Sequence, residues 1–148
     1  MGSKLMAALL AGMFFTFFLD FFFILGIFLN YIRPQEIDIY FNVLFADHQN
    51  LWLFSTGVLI FGYMFLFLKN TKIPVFVFII SFALVNLVQI PSIGKDVGTM
   101  LLAQKDKAFS IGKHTYIGTT VYTGRDTVWF YDDELNKIIT FKKEEISE

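Results

Sequence analysis

"FFTFFLDFFFILG" occupies residues 14–26 and decides the fold class of this 148-residue chain. The stretch holds seven phenylalanines and a single charged residue, Asp20. It lies inside an apolar run of 26 residues, 5–30, which is long enough to cross a hydrocarbon core of about 30 Å as a tilted helix. A secretory signal peptide has a much shorter apolar segment, of about 7–15 residues. The run therefore predicts a retained transmembrane helix.

The composition excludes several classes of protein. Hydrophobic residues make up 55% of the chain and charged residues only 17%, with a net charge of −1. The hydrophobic share is above that of ordinary soluble domains, and a nearly neutral chain offers no bulk attraction to nucleic acid. The sequence contains no cysteine. Disulfides, thiolate nucleophiles and cysteine-type zinc sites are therefore excluded.

Two further apolar runs predict two more transmembrane helices, at residues 51–68 and 73–93. The four-residue connection "KNTK" (69–72) makes these two helices antiparallel neighbours. Pro74 falls in the first turn of the third helix, where a missing N–H group costs little, and Pro91 falls near its end. Residues 1–94 thus form a predicted transmembrane helical domain.

The distribution of basic residues predicts the orientation of these helices. Lys4, Lys69 and Lys72 lie at one end of the bundle, whereas the connection 31–50 carries only Arg33. Basic residues favour the cytoplasmic side. We therefore expect a multi-pass protein of a plasma or inner membrane, with a cytoplasmic N-terminus and the C-terminal part on the outer side.

The connection between the first two predicted helices has helical periodicity of its own over residues 36–48. Apolar side chains recur there at helical spacing, and the acidic residues fall off their face; the apolar set is Ile37, Tyr40, Phe41, Leu44 and Phe45. This pattern predicts a short amphipathic helix on the membrane surface. A helix packed on the bundle would show the same pattern, and the sequence leaves both possibilities open.

The C-terminal part changes from helical periodicity to strand patterns. Residues 95–106 form a linker or short helix, and 107–148 form a small extramembrane β domain. The predicted strands are 115–123, 127–132 and 137–142, with 107–111 as a possible fourth; all are rich in β-branched or aromatic residues. Turn-forming residues separate the last three strands. The spacing predicts an antiparallel meander.

Alternation assigns the strand side chains to two faces. One predicted face consists of Ile117, Val121, Val128, Phe130, Ile139 and Phe141; the other consists of Tyr116, Tyr122, Trp129 and Tyr131. About 40 residues bury little core on their own. The second face is therefore expected to contact the membrane surface, the chain's own helices or a partner.

Polar residues inside the predicted helices are the candidate functional site. Ala8, Gly12, Thr16 and Asp20 recur every four residues, so they form one stripe on the first helix. The small residues Ala8 and Gly12 predict close helix packing. Asp20 is expected near the membrane midplane, where a carboxyl group must be protonated, hydrogen-bonded or exposed to water. The other polar candidates are Ser55, Thr56, Asn86 and Gln89, and Asp20 is expected to bind Thr16, Asn86 or Gln89 if it is hydrogen-bonded.

Two functions fit these features, and the sequence does not choose between them. The first is an oligomeric pore or a protein related to ion or proton transport, in which Asp20 attracts a cation or relays protons. The second is a non-enzymatic accessory or scaffold subunit of a larger membrane complex, with the β domain as a docking module. The expected partners are the lipid bilayer and either further copies of the chain or other membrane subunits, without nucleic acid.

Enzymatic chemistry has little support in the sequence. The chain has no nucleophile–base pair, phosphate-binding loop or nucleophile elbow. His48 and His114 lie at unrelated positions, so no metal site and no cofactor are expected. In layout alone, a few transmembrane helices followed by a small β domain resembles the short NfeD-type membrane proteins, which partner with stomatin-like scaffolds. The β domain of that family is a longer OB-fold and no motif matches here, so the resemblance assigns no residue a role.

Overall fold

The computed structural model describes residues 2–111 and 114–146, and within these ranges five α-helices precede a four-stranded antiparallel sheet. The expected combination of helices with a C-terminal antiparallel meander is confirmed. The helices are α1 (Gly2–Ile27), α2 (Phe41–His48), α3 (Leu51–Phe67), α4 (Lys72–Asn86) and α5 (Pro91–Leu102). The strands are β1 (Gln104–Ile111), β2 (His114–Thr123), β3 (Thr127–Asp132) and β4 (Lys137–Lys142), and they pair in chain order.

Two of the described helical segments are long and apolar enough to cross a membrane. The first is Gly2–Gln35, in which α1 continues through a π turn and a 3₁₀ turn to a total of 34 residues. The second is Lys72–Gln89, in which a 3₁₀ turn extends α4 to 18 residues. A third crossing results only if α2 and α3 count as one span, and these two helices are bent by 83° at their junction.

The long helix α1 is the centre of the helical bundle. Helix α3 packs along it in the antiparallel direction, and the rings of Phe15 and Phe65 stack with their centroids 4.0 Å apart. Helix α4 packs beside both through an aromatic cluster in which Phe78 and Phe82 contact Phe18. Phenylalanine rings thus fill the spaces between the three helices.

Helix α2 is shorter than expected and packs on the bundle. The chain adopts a left-handed conformation at Glu36 (φ 56°) and stays non-helical to Tyr40, so only the second half of residues 36–48 is helical. Leu44 is 1% exposed, and the ring of Phe41 contacts those of Phe21 and Phe28 on α1 and its extension. The apolar face of α2 therefore contacts α1 and does not lie free on a membrane surface.

The third predicted helix, 73–93, is in fact two helices. Helix α4 ends at Asn86 and its 3₁₀ extension ends at Gln89, after which Ile90 is extended. Pro91 then begins α5, because proline at the first helical position sacrifices no hydrogen bond. Helix α5 runs to Leu102, so most of the expected linker 95–106 is helical and β1 follows almost at once.

The sheet is docked on the end of α1 through a bulge in β2. Val121 has no partner in the register of either neighbouring strand, and its carbonyl oxygen accepts a hydrogen bond of 2.8 Å from the buried Tyr31 hydroxyl. Bulges leave one residue out of the ladder and redirect the strand. One hydrophobic core therefore joins helices and sheet: Ile24, Ile27, Tyr31, Ile32, Ile37, Leu44, Val88, Leu102, Val121, Tyr122 and Trp129.

Because of the same bulge, the faces of the sheet differ from those predicted. Thr119 pairs with Tyr131 and Thr120 with Phe130, so on the early part of β2 the odd-numbered residues share the Tyr131 face. Tyr116 therefore lies on the opposite face, where its ring contacts Phe141 at 5.1 Å. The prediction that Tyr116 shares a face with Tyr122 was wrong, because strict alternation does not allow for the extra residue at Val121.

Candidate functional site

The small residues of the α1 stripe lie at the closest approach of two helices. Ala8 and Gly12 are buried against α3. A Cβ atom on Gly12 would overlap the carbonyl group of Val58, and one on Gly62 would overlap that of Ala8. The backbones touch only because neither glycine has a side chain. Gly62 was not predicted to take part in this contact, although its small size was the available signal.

Thr16 extends the same contact by one turn. Its side chain is buried against Gly57, and a Cβ atom there would lie 2.7 Å from the Thr16 methyl carbon. Among the described residues, the Thr16 hydroxyl has no hydrogen-bond partner. Thr16 is thus a packing residue between α1 and α3, and it does not bind Asp20.

Asp20 of α1 lies level with the beginning of α3, not with the middle of that helix. Ala8 faces Gly62 and Gly12 faces Val58, and the antiparallel continuation of this register brings the first turn of α3 level with Asp20. Its carboxyl group is partly exposed and hydrogen-bonds the side chain of Gln49, in the junction between α2 and α3. This hydrogen-bond partner was not among those expected, which were Thr16, Asn86 and Gln89.

The amides of the third predicted helix bind backbone carbonyl groups. Asn86 donates to the Phe82 carbonyl oxygen in its own helix at 2.8 Å. Gln89 donates to the Phe22 carbonyl oxygen of α1, also at 2.8 Å. The Gln89 bond fixes the extension of α4 on α1, whereas the Asn86 bond stays within α4. Among the described residues, neither amide is hydrogen-bonded to Asp20.

A further amide of this kind was missed by the sequence analysis. Asn30, in the extension of α1, donates to the Val88 carbonyl oxygen at 2.9 Å. A polar residue between two apolar segments was the available signal.

Ser55 and Thr56 lie on the exposed surface of α3. The polar candidates therefore do not converge on one site: Asp20 binds Gln49, the two amides bind backbone, Thr16 is enclosed, and Ser55 and Thr56 face outward.

The four aromatic residues expected to contact a partner have three different surroundings. Tyr122 is completely buried and Trp129 is 9% exposed, both in the core that joins sheet and helices. Tyr131 packs at the edge of this core and donates its hydroxyl to Asn136. Tyr116 lies on the outer face of the sheet. Of the three contacts considered for this face, the one observed is with the chain's own helices.

An ion pair connects α2 to the turn between β2 and β3. The Arg125 guanidinium lies 2.6 Å from the Asp47 carboxylate. This hydrogen bond holds the pKa of Asp47 below its ordinary value. Nearby, burial and the charge of Asp47 raise the pKa of Tyr122, with Arg125 opposing them. The ring of His48 lies 5.6 Å from that of Tyr122.

The described residues contain no group of three or more histidine, cysteine or carboxylate side chains arranged to hold a metal ion. The His114 side chain lies outside the part of the structure that is described. Comparison with known protein families, curated proteins and solved structures finds no match to this chain. Function must therefore be argued from the contacts above.

Proposed function

We propose that this chain is a non-enzymatic accessory or scaffold subunit of a larger membrane complex. The observation that carries the proposal is the use of the polar side chains within the helices. The amides of Asn86 and Gln89 bind backbone carbonyl groups, and Asp20 binds Gln49. Hydrogen bonds between membrane helices, such as that from Gln89 to α1, stabilise packing. This use of polar groups supports a structural role over a conducting path.

The proposed location is a plasma or inner membrane, with the N-terminus in the cytoplasm and the sheet on the outer side. The exposed surface of α4 supports membrane insertion, since it consists of large apolar side chains; they include Ile73, Val75, Phe76, Ile79, Ile80 and Leu84. A soluble protein rarely exposes so continuous an apolar surface. Lys4, Lys69 and Lys72 at the opposite end from the sheet support the orientation.

The docking of the sheet supports a scaffold in particular. Tyr31 holds the bulge of β2, and Arg125 holds the following turn to Asp47. One attachment is a hydrogen bond and the other is an ion pair, and they lie on either side of the buried Tyr122 in the sequence. Together they restrict movement of the sheet relative to the helices. A partner bound to the sheet would therefore be held at a fixed position above the membrane helices.

The outer face of α3 is the proposed contact with a partner helix. Thr56, Ile60 and Tyr63 are exposed and lie on one face of the helix, and Ser55 is adjacent. In hydrocarbon, Ser and Thr hydroxyl groups can bond only the backbone of their own helix, whereas across a helix–helix contact they form further hydrogen bonds. This face therefore suits another transmembrane helix better than it suits lipid.

Site-specific photo-crosslinking tests this contact. A photoreactive amino acid replaces Thr56 in one variant and Ile79, on the lipid-facing surface of α4, in the control. In native membranes we expect the Thr56 probe to capture a different protein several-fold more than the Ile79 probe does. Equal capture at both positions would contradict the proposal, and capture of a second copy of this chain would favour the pore described next.

A homo-oligomeric pore is the second candidate, and one observation favours it. Asp20 is a partly exposed carboxyl group on an otherwise apolar helix, and such residues in membrane proteins mark ion or proton pathways by default. A symmetric assembly would place several copies of Asp20 around one axis, and a ring of acidic side chains selects cations. In this candidate Asp20 carries the function, whereas in the scaffold it stabilises the junction at Gln49.

A further inference from the structure

A largely apolar cleft of about 330 Å³ lies where four helices meet. Its volume falls within the range of sites that bind small molecules. The lining comes from α1, α2, α3 and α5, with polar residues only at one edge; the residues are Phe23, Ile24, Ile27, Leu44, His48, Asn50, Leu53, Leu101 and Leu102. The apolar part of such a lining suits a hydrocarbon chain.

The cleft opens onto the apolar outer surface of the bundle. Its floor is formed by Ile24, Leu44 and Leu102, which are all buried, whereas Leu53 and Leu101 at its mouth are 71% and 52% exposed. Beside the mouth, α3 exposes Trp52, a residue type enriched where membrane meets water. The cleft is therefore continuous with the surface that bilayer lipid would cover.

Two hydrogen-bonding groups lie at one edge of the cleft. The His48 Nδ1 atom lies 3.2 Å from the Leu44 carbonyl oxygen, and a neutral ring that donates there leaves Nε2 as an acceptor. The side-chain oxygen of Asn50 accepts from the backbone N–H groups of Trp52 and Leu53. The Asn50 NH₂ group remains as a donor. An apolar cleft with polar groups at one edge matches an amphiphile.

We propose that this cleft binds one acyl chain of a bilayer phospholipid, with the polar part of the lipid at His48 and Asn50. The second chain lies in the surrounding bilayer, since the cleft opens sideways at Leu53 and Leu101. The proposal rests on the membrane location proposed above and is independent of the scaffold role. A bound lipid would fill the space between α2 and α5 and hold the two helices at a fixed separation.

Native mass spectrometry of the full chain released from mild detergent tests the proposal. We expect an adduct with the mass of one phospholipid that survives removal of the detergent. The variant Leu53→Trp places a larger side chain at the mouth and should reduce this adduct at least fivefold. Leu84→Trp makes the same change on the exposed surface of α4, away from the cleft, and should leave the adduct unchanged.

Leu101→Trp blocks the mouth from α5 and provides a second variant if Leu53→Trp lowers helix content. Loss of the adduct in both mouth variants, with the Leu84 control unaffected, supports the proposal. The absence of any adduct, equal adducts in all variants, or an adduct with the mass of a free fatty acid alone would overturn it. None of these results depends on a partner protein, so the scaffold proposal is tested separately.

Discussion

Gly12→Ala is the most informative single substitution, because it tests the contact between α1 and α3. The added Cβ atom would lie 2.8 Å from the Val58 carbonyl carbon and closer still to its oxygen. Carbon atoms pack at about 3.5–4.0 Å, so the two helices must move apart locally. Because the obstacle is backbone, no side-chain rotation relieves it. Overpacking of this kind typically costs about 1–3 kcal/mol.

The free energy of unfolding in mixed micelles, followed by circular dichroism, measures this effect. Gly2→Ala is the matched control, since a Cβ atom there meets nothing within 4 Å. Gly2 is the first residue of α1, where helix ends fray, so Gly2→Ala should leave stability nearly unchanged whereas Gly12→Ala lowers it. If Gly12→Ala were as stable as the unmodified chain or more so, the reasoning about the α1–α3 contact would be refuted.

Three other predictions concern the sheet, its ion pair and Asp20. Tyr31→Phe leaves the bulge carbonyl of β2 without its donor in a buried place, which costs about 1–3 kcal/mol; we expect faster amide hydrogen exchange in the sheet, and unchanged exchange would count against the docking. The pKa of Asp47 is depressed in the fold, so its pairing with Arg125 stabilises the protein above the ordinary carboxyl pKa of about 3.9 and ceases to do so as the pH falls through the depressed value. Arg125→Ala should raise the Asp47 pKa toward its ordinary value in an NMR titration, and no change would show that the ion pair does not form. Reconstituted in liposomes, the protein should pass no more cations than empty liposomes do. A cation flux that Asp20→Asn reduces would contradict the scaffold proposal and favour the pore.

The strands and the large apolar segments were predictable because their signals are local. The predicted strands 115–123, 127–132 and 137–142 agree with β2, β3 and β4 to within one residue. Runs of β-branched and aromatic residues between turn residues indicate strands without any knowledge of tertiary contacts. The apolar runs locate α1, α3 and α4 for the same reason.

Features that depend on contacts between distant residues were not predictable. The bulge at Val121 depends on a donor 90 residues away, Tyr31, and it alone reverses the face of Tyr116. Gln49 is one polar residue among several in its connection, and only the antiparallel register of α1 and α3 brings it to Asp20. The end of α4 was also missed, because the run stays free of charged residues to Gly94 while the backbone becomes extended at Ile90.

The most direct test of the scaffold proposal is the composition of the complex purified from native membranes in mild detergent. Mass measurement of the intact assembly gives the identity and number of its chains. We expect at least one different chain in a fixed ratio with this one. An assembly of this chain alone, or a monomer without any partner, would contradict it.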